Sequence, residues 1–317
     1  MRRHFLRYSR KRGIKGTLVR MSVHAFNLIL TLFFFFFSSS AWAESVSVLV
    51  SIPPQKYMVE RVAGDLARVA VLVKPGSDPH TFEPGPSQMR AAAKASLWFT
   101  IGVPFETIWR DRVIGASGNM TVVSCIRDIK RMGFGDDPHE NEHDHHAGED
   151  PHVWLSPLLT ARMLPAITEA LSKALPEKEP VFVENAMAFE RELLVLHKTL
   201  FARFAAVSVE RRVFLTFHPS WRYYARDFAL TELSVEVDGK EPGPKAMRTI
   251  LDTARKHDIH TLFIEPQFST AAAKAIAKEL GAEVRTADPL AENLIFLYAT
   301  MADELIASFA SKPTTGR

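Results

Sequence analysis

The chain of 317 residues has a single cysteine, Cys125. No internal disulfide can form, and no pair of thiolates is available to hold a metal. Cys125 reads as a small buried strand residue rather than a reactive thiol. Long apolar runs are also missing. The most apolar stretch, from about Phe26 to Phe37, falls short of the roughly 20 residues that a spanning helix needs. Absent too are G-x-S-x-G, H-E-x-x-H and a phosphate-cradling glycine loop, so the common hydrolase, zinc-protease and nucleotide signatures are not there.

Acid is missing from residues 1–43, which carry eight Lys and Arg residues. The apolar run follows, then Ser38 to Ser40 and Ala41-Trp42-Ala43. Basic, apolar and A-x-A segments in that order are the layout of a secretory signal peptide, with cleavage expected near Ala43. Met21 is an alternative start. No cysteine near Ala43 offers a lipid attachment point, so the expected product is exported to the periplasm with no membrane insertion after cleavage. Loss of those eight cations takes the formal net charge from +3 to −5. The basicity therefore belongs to the leader and gives no reason to expect a nucleic-acid partner.

Short β-branched runs alternate with helical patterns through the rest. Strands are expected at Ser45–Ser51, Arg68–Val73, Leu97–Thr100 and Thr121–Val123, with helices at Gln55–Ala63, Ser87–Lys94, Phe105–Asp111 and Pro157–Ala174. The second half repeats the theme. Its strands are Arg212–Phe217, Leu230–Val237, Thr261–Ile264 and Glu283–Thr286, and its helices are Ser220–Phe228, Pro244–His257, Ala271–Leu280 and Leu290–Phe309. This alternation predicts an α/β fold of two lobes, each with a mainly parallel sheet flanked by helices. Residues 176–206 read as one long helix. It either joins two lobes or belongs to the core of a single larger domain. The expected division is leader 1–43, first lobe 44–175, connecting helix 176–206 and second lobe 207–317.

Five of the twelve histidines fall within residues 139–152, HENEHDHHAGEDPH. Glu140, Glu142, Asp144, Glu149 and Asp150 are interleaved with them. No packed core holds so many charged groups, so residues 136–150 form a solvated loop: a charged spacer, or, with His139, His143, His145 and His146, an auxiliary weak metal-binding loop.

Sheets of this kind bind ligands outside the carboxyl ends of their strands. Four chemistry-bearing residues stand there: His80 in KPGSDPHTFEP, His152 in EDPHVWLSP, His218 in LTFHPSW and Asp288 in TADPL. Each has a proline beside it, which restricts the backbone. Three imidazoles and one carboxylate suit a tetrahedral zinc site. Glu265, in FIEPQF, also ends a strand. It is expected to orient a ligating imidazole or tie down its loop, with direct coordination as the lesser alternative. His197, His257 and His260 read as surface or capping residues.

Taken together, PGSDPHTFEP, DPHVWLSP, VDGKEPGPKAM, FIEPQFS and ADPL resemble the cluster A-I periplasmic binding proteins of zinc and manganese ABC importers. The resemblance runs in order along the whole chain after the leader. It implies two α/β lobes bridged by one rigid helix, with the metal between them. It also implies His80, His152, His218 and Asp288 as the ligands, in that order. Histidine at the third place and a His-rich loop before the second ligand are features of zinc members. Pro79 stands where some zinc members carry glutamate, and the second-lobe disulfide of some is absent.

The expectation is a non-enzymatic zinc receptor, a monomer, that delivers Zn2+ to an inner-membrane ABC permease and its ATPase. Alternatives are a manganese receptor of the same family, a metal buffer or adhesin, and an exported zinc hydrolase using His80, His152 and His218 with Glu265 as base. Three nitrogens to one carboxylate favour zinc over manganese.

Overall fold

A computed structural model describes residues 45–133, 148–236 and 242–310. The first lobe holds strands β1 (Val46–Val50), β2 (Ala67–Val71), β3 (Leu97–Thr100) and β4 (Thr121–Ser124). All pair in parallel, in the order β2-β1-β3-β4. The second lobe holds β5 (Val213–Thr216), β6 (Thr231–Ser234), β7 (Thr261–Ile264) and β8 (Glu283–Thr286), parallel in the order β6-β5-β7-β8. The two sheets thus share one strand order. In each, the chain reverses direction across the sheet between its two central strands. β3 and β7 are buried at every position and β1 at all but one, which is why they read as unbroken apolar runs. The edge strands alternate or lie half exposed.

The helices are α1 (Pro53–Ala63), α2 (Pro86–Ala92), α3 (Pro104–Ser117), α4 (Pro157–Ala174), α5 (Glu179–Ala205), α6 (Arg222–Asp227), α7 (Pro244–Lys256), α8 (Thr270–Leu280) and α9 (Leu294–Ala310). Proline occupies one of the first two positions of α1 to α5 and of α7. Its fixed φ suits a first turn, and the amide it lacks has no helical partner there. Two helix boundaries differ from expectation by four residues or more. α3 continues past Asp111, whose charge is solvated, until Gly118 closes it in the left-handed conformation at φ 68°. α9 starts at Leu294 rather than Leu290 because the Asn293 side chain accepts the Phe296 N–H at 3.0 Å and caps the first turn.

α5 has 27 residues, roughly 40 Å of helix. It buries Phe182, Phe189, Leu193, Leu200 and Phe204. Phe189 meets Tyr57 of the first lobe, and Phe204 meets Tyr224 and Phe228 of the second. One apolar core runs from β1 through Trp154 and Phe204 to Tyr224 and Tyr298, and so belongs to both lobes. A smaller core lies between the second sheet and helices α7 and α8. Among the described residues, no helix is long and apolar enough to cross a membrane. Cys125 is buried beside Gln55, and burial pushes its thiol up to about 12.

Polar contacts also cross between the lobes. Tyr298 donates its hydroxyl to the Trp154 carbonyl at 2.6 Å and lies 2.8 Å from Thr160 Oγ1. Trp154 Nε1 donates to the Pro289 carbonyl at 2.8 Å. Tyr298→Phe removes the stronger of the two donors to Trp154, because Thr160 Oγ1 reaches that carbonyl only at 3.3 Å. The expected cost is about 1–2 kcal/mol. It should appear in urea unfolding as a lower midpoint with an unchanged slope.

Candidate metal centre

Asp-Pro pairs build three of the loops at the carboxyl ends of the strands. Asp78 Oδ1 accepts the backbone N–H of His80 at 2.8 Å, and Oδ2 accepts Thr81 Oγ1. Asp150 Oδ1 accepts the N–H of His152 at 2.9 Å, and Asp288 Oδ1 that of Leu290 at 3.0 Å. Each is a side chain closing a turn on the amide two residues on. Proline restricts the backbone between, but the aspartate makes the fold-back.

His80 arrives from the loop after β2, His152 from the segment leading into α4, and His218 directly after β5. One ligand atom from each lies within 4.8 Å of the others. His80 Nε2 and His152 Nε2 are 3.3 Å apart. Two nitrogens bound to one tetrahedral zinc at about 2.0–2.1 Å stand about 3.3–3.4 Å from each other, so this pair already has the spacing the ion imposes. His152 and His218 are 3% and 7% exposed, while His80 is only partly buried. The Nε2 of His218 is buried with no partner, an orphan that a metal would satisfy.

The other ring nitrogens face carboxylates. His152 Nδ1 is 2.7 Å from Asp150 Oδ1, and His218 Nδ1 is 2.8 Å from Glu236 Oε2. The register explains the second pair. Thr216 aligns with Ser234 across β5 and β6, so two residues further on His218 lies beside Glu236. Glu236 carried no sequence signal, because it sits in an alternating strand tail. Asp150 had one: the repeated D-P-H of residues 78–80 and 150–152.

Asp288 is outside the three-histidine group. Its Oδ1 is held by Leu290 N–H and by Gln267 Nε2 at 3.2 Å. Glu265, expected to orient an imidazole or tie down its loop, accepts the Oγ of Ser220, in the loop after β5, at 2.9 Å, and its other oxygen is buried without a partner. The position behind His218 is taken by Glu236, delivered by the neighbouring strand, so Glu265 acts on that ring by charge rather than by a hydrogen bond. His139, His143, His145 and His146 lie outside the described residues. His197 stacks on Phe228, His257 caps α7 and His260 pairs with Asp258, none of them at this centre.

Burial and the charges of the other two rings drive His80 down to about 3. Burial also lowers His152, against the pull of Asp150. For His218 burial is outweighed by the Glu236 hydrogen bond and the Glu265 and Glu236 charges, so it rises above 6.5. Burial pushes Glu265 up to about 7. Asp150 and Glu236 pair only with these imidazoles among the described residues, so the centre is rich in negative charge that a divalent cation would balance.

Residues 48–311 match the family model for ZnuA, the periplasmic component A of a zinc-uptake complex. The chain belongs to the ZnuA family. A crystal structure of ZnuA is 34% identical, with a TM-score of 0.77, over 84% of this chain and 100% of that one. A ZnuA deletion mutant with zinc bound is 35% identical, with a TM-score of 0.77, over 85% of this chain and 100% of its own. The zinc-binding protein AdcA of Streptococcus pyogenes is 28% identical over 261 residues, 77% of this chain and 50% of AdcA. The chain thus spans about half the length of the AdcA relatives it matches. ZnuA-family proteins are periplasmic or lipoprotein-anchored substrate-binding components that serve ABC transporters, which implies a permease partner. They are not enzymes, so the hydrolase alternative falls.

Proposed function

We propose that this ZnuA-family chain captures one Zn2+ ion between its lobes and delivers it to an inner-membrane ABC permease driven by its ATPase. The ligands are His80, His152 and His218 through Nε2, with Asp288 completing the set through Oδ2. The leader is removed near Ala43, and the product works as a monomer in the periplasm. The observation that carries this reading is the 3.3 Å spacing of His80 and His152 Nε2, next to the orphaned Nε2 of His218. Nitrogen donors favour zinc over manganese, which takes oxygen ligands more readily.

Titrating metal-free protein with zinc and manganese against a chelator tests this. One tight zinc equivalent is expected, with manganese much weaker. Equal affinity for manganese, or no tight equivalent, overturns it. Deleting Asp136 to Gly148 should remove weak extra equivalents and leave the tight one untouched. Loss of the tight equivalent in that variant would move the site into the His-rich loop.

A further inference from the structure

His152 and His218 are backed differently from His80. Asp150 is fully buried, and its Oδ1 takes both the backbone N–H and the ring Nδ1 of His152, at 2.9 and 2.7 Å. Glu236, 8% exposed, places Oε2 2.8 Å from the Nδ1 of His218. An ionised carboxylate only accepts, so each ring keeps a proton on Nδ1 and surrenders Nε2. Among the described residues, no carboxylate takes the Nδ1 of His80.

The two supports are tied to one frame. The Asp150 carbonyl accepts the Tyr223 hydroxyl at 2.9 Å, and that hydroxyl accepts the Met132 N–H at 2.9 Å. The Asp150 N–H donates to the Met132 carbonyl at 2.8 Å. Tyr223 is on α6, five residues beyond His218, so the segment carrying His152 is fastened to the segment carrying His218. Glu236 is fastened to the same strand end by its own N–H, which donates to the Phe217 carbonyl at 2.9 Å.

We infer that Asp150 and Glu236 are positioning residues that fix the tautomer and aim of His152 and His218, and so set zinc affinity without touching the ion. This rests on the assignment of the three histidines as the zinc site. Asp150→Asn and Glu236→Gln keep the shape and remove the charge. Each should weaken zinc binding roughly 10–100-fold, while circular dichroism and the unfolding midpoint report that the variant is folded. Imidazole nitrogen NMR of the metal-free wild type should show both rings protonated at Nδ1, and Asp150→Ala and Glu236→Ala, which offer no acceptor, should each lose that signature at its own ring only. Merely structural residues would leave it unmoved. Wild-type rings protonated at Nε2 alone, or folded variants that bind within about threefold of wild type, overturn the inference while the zinc site stands. Wild type that binds no zinc overturns the site assignment and the inference together.

Discussion

Zinc affinity should fall by a factor of a hundred or more when His152 or His218 is replaced by alanine. Structural zinc sites are worth about 10–16 kcal/mol in total. Shared over the four proposed ligands, that is roughly 2.5–4 kcal/mol each, or about two to three powers of ten in affinity. These two rings are the most buried of the three and the ones with carboxylates behind them. Removing His218 also takes the imidazole partner from the buried Glu236, and removing His152 leaves the buried Asp150 only the backbone N–H of residue 152, so the loss sits at the upper end of that range. His80→Ala should lose less, because His80 is partly exposed and brings no such partner. Competition against a chelator of known zinc affinity reads all three. If any of the three single variants retained wild-type affinity, that histidine would be struck from the ligand set.

Lowering the pH should weaken zinc binding, by about tenfold or more per unit once below pH 6.5. Ligating imidazoles must be free of protons at Nε2. Three ordinary histidines would each begin to compete only below 6.5. Here His80, at about 3, and His152, also lowered, are already neutral at working pH. His218 is shifted the other way, so its proton competes from above 6.5 downward. Glu265, at about 7, adds part of a second proton, because a cation nearby favours its ionised form. Below pH 6.5 the plot of log affinity against pH should therefore rise with a slope between one and two. A flat line excludes histidine ligation, and a slope near three would mean that His80 and His152 titrate like free imidazole.

Much of the fold was legible because burial wrote itself into composition. β3 and β7 are buried along their whole length, and their apolar runs marked them to the residue. α4 likewise shows a helical pattern bounded by Ser156 and Leu175, and Ser156 caps it by accepting the Leu159 N–H at 3.0 Å. Where ends are set by a side-chain cap or a left-handed glycine, as at Asn293 and Gly118, hydrophobic pattern alone misplaced them. The histidines of the centre could be read because each stands in a loop next to proline, His218 directly after a predicted strand. Their supports could not. Glu236 reaches His218 only through the register of two strands, a relation that no local pattern records. Glu265 had the more suggestive position in the sequence, yet Ser220 takes its oxygen.

The shared core and the 27-residue helix α5 have a kinetic consequence. Halves that bury their aromatic residues in one another do not open like a clamshell without exposing Trp154, Phe204 and Tyr298 to water. Any path to the three histidines that leaves this core intact runs past His80, the least enclosed of them.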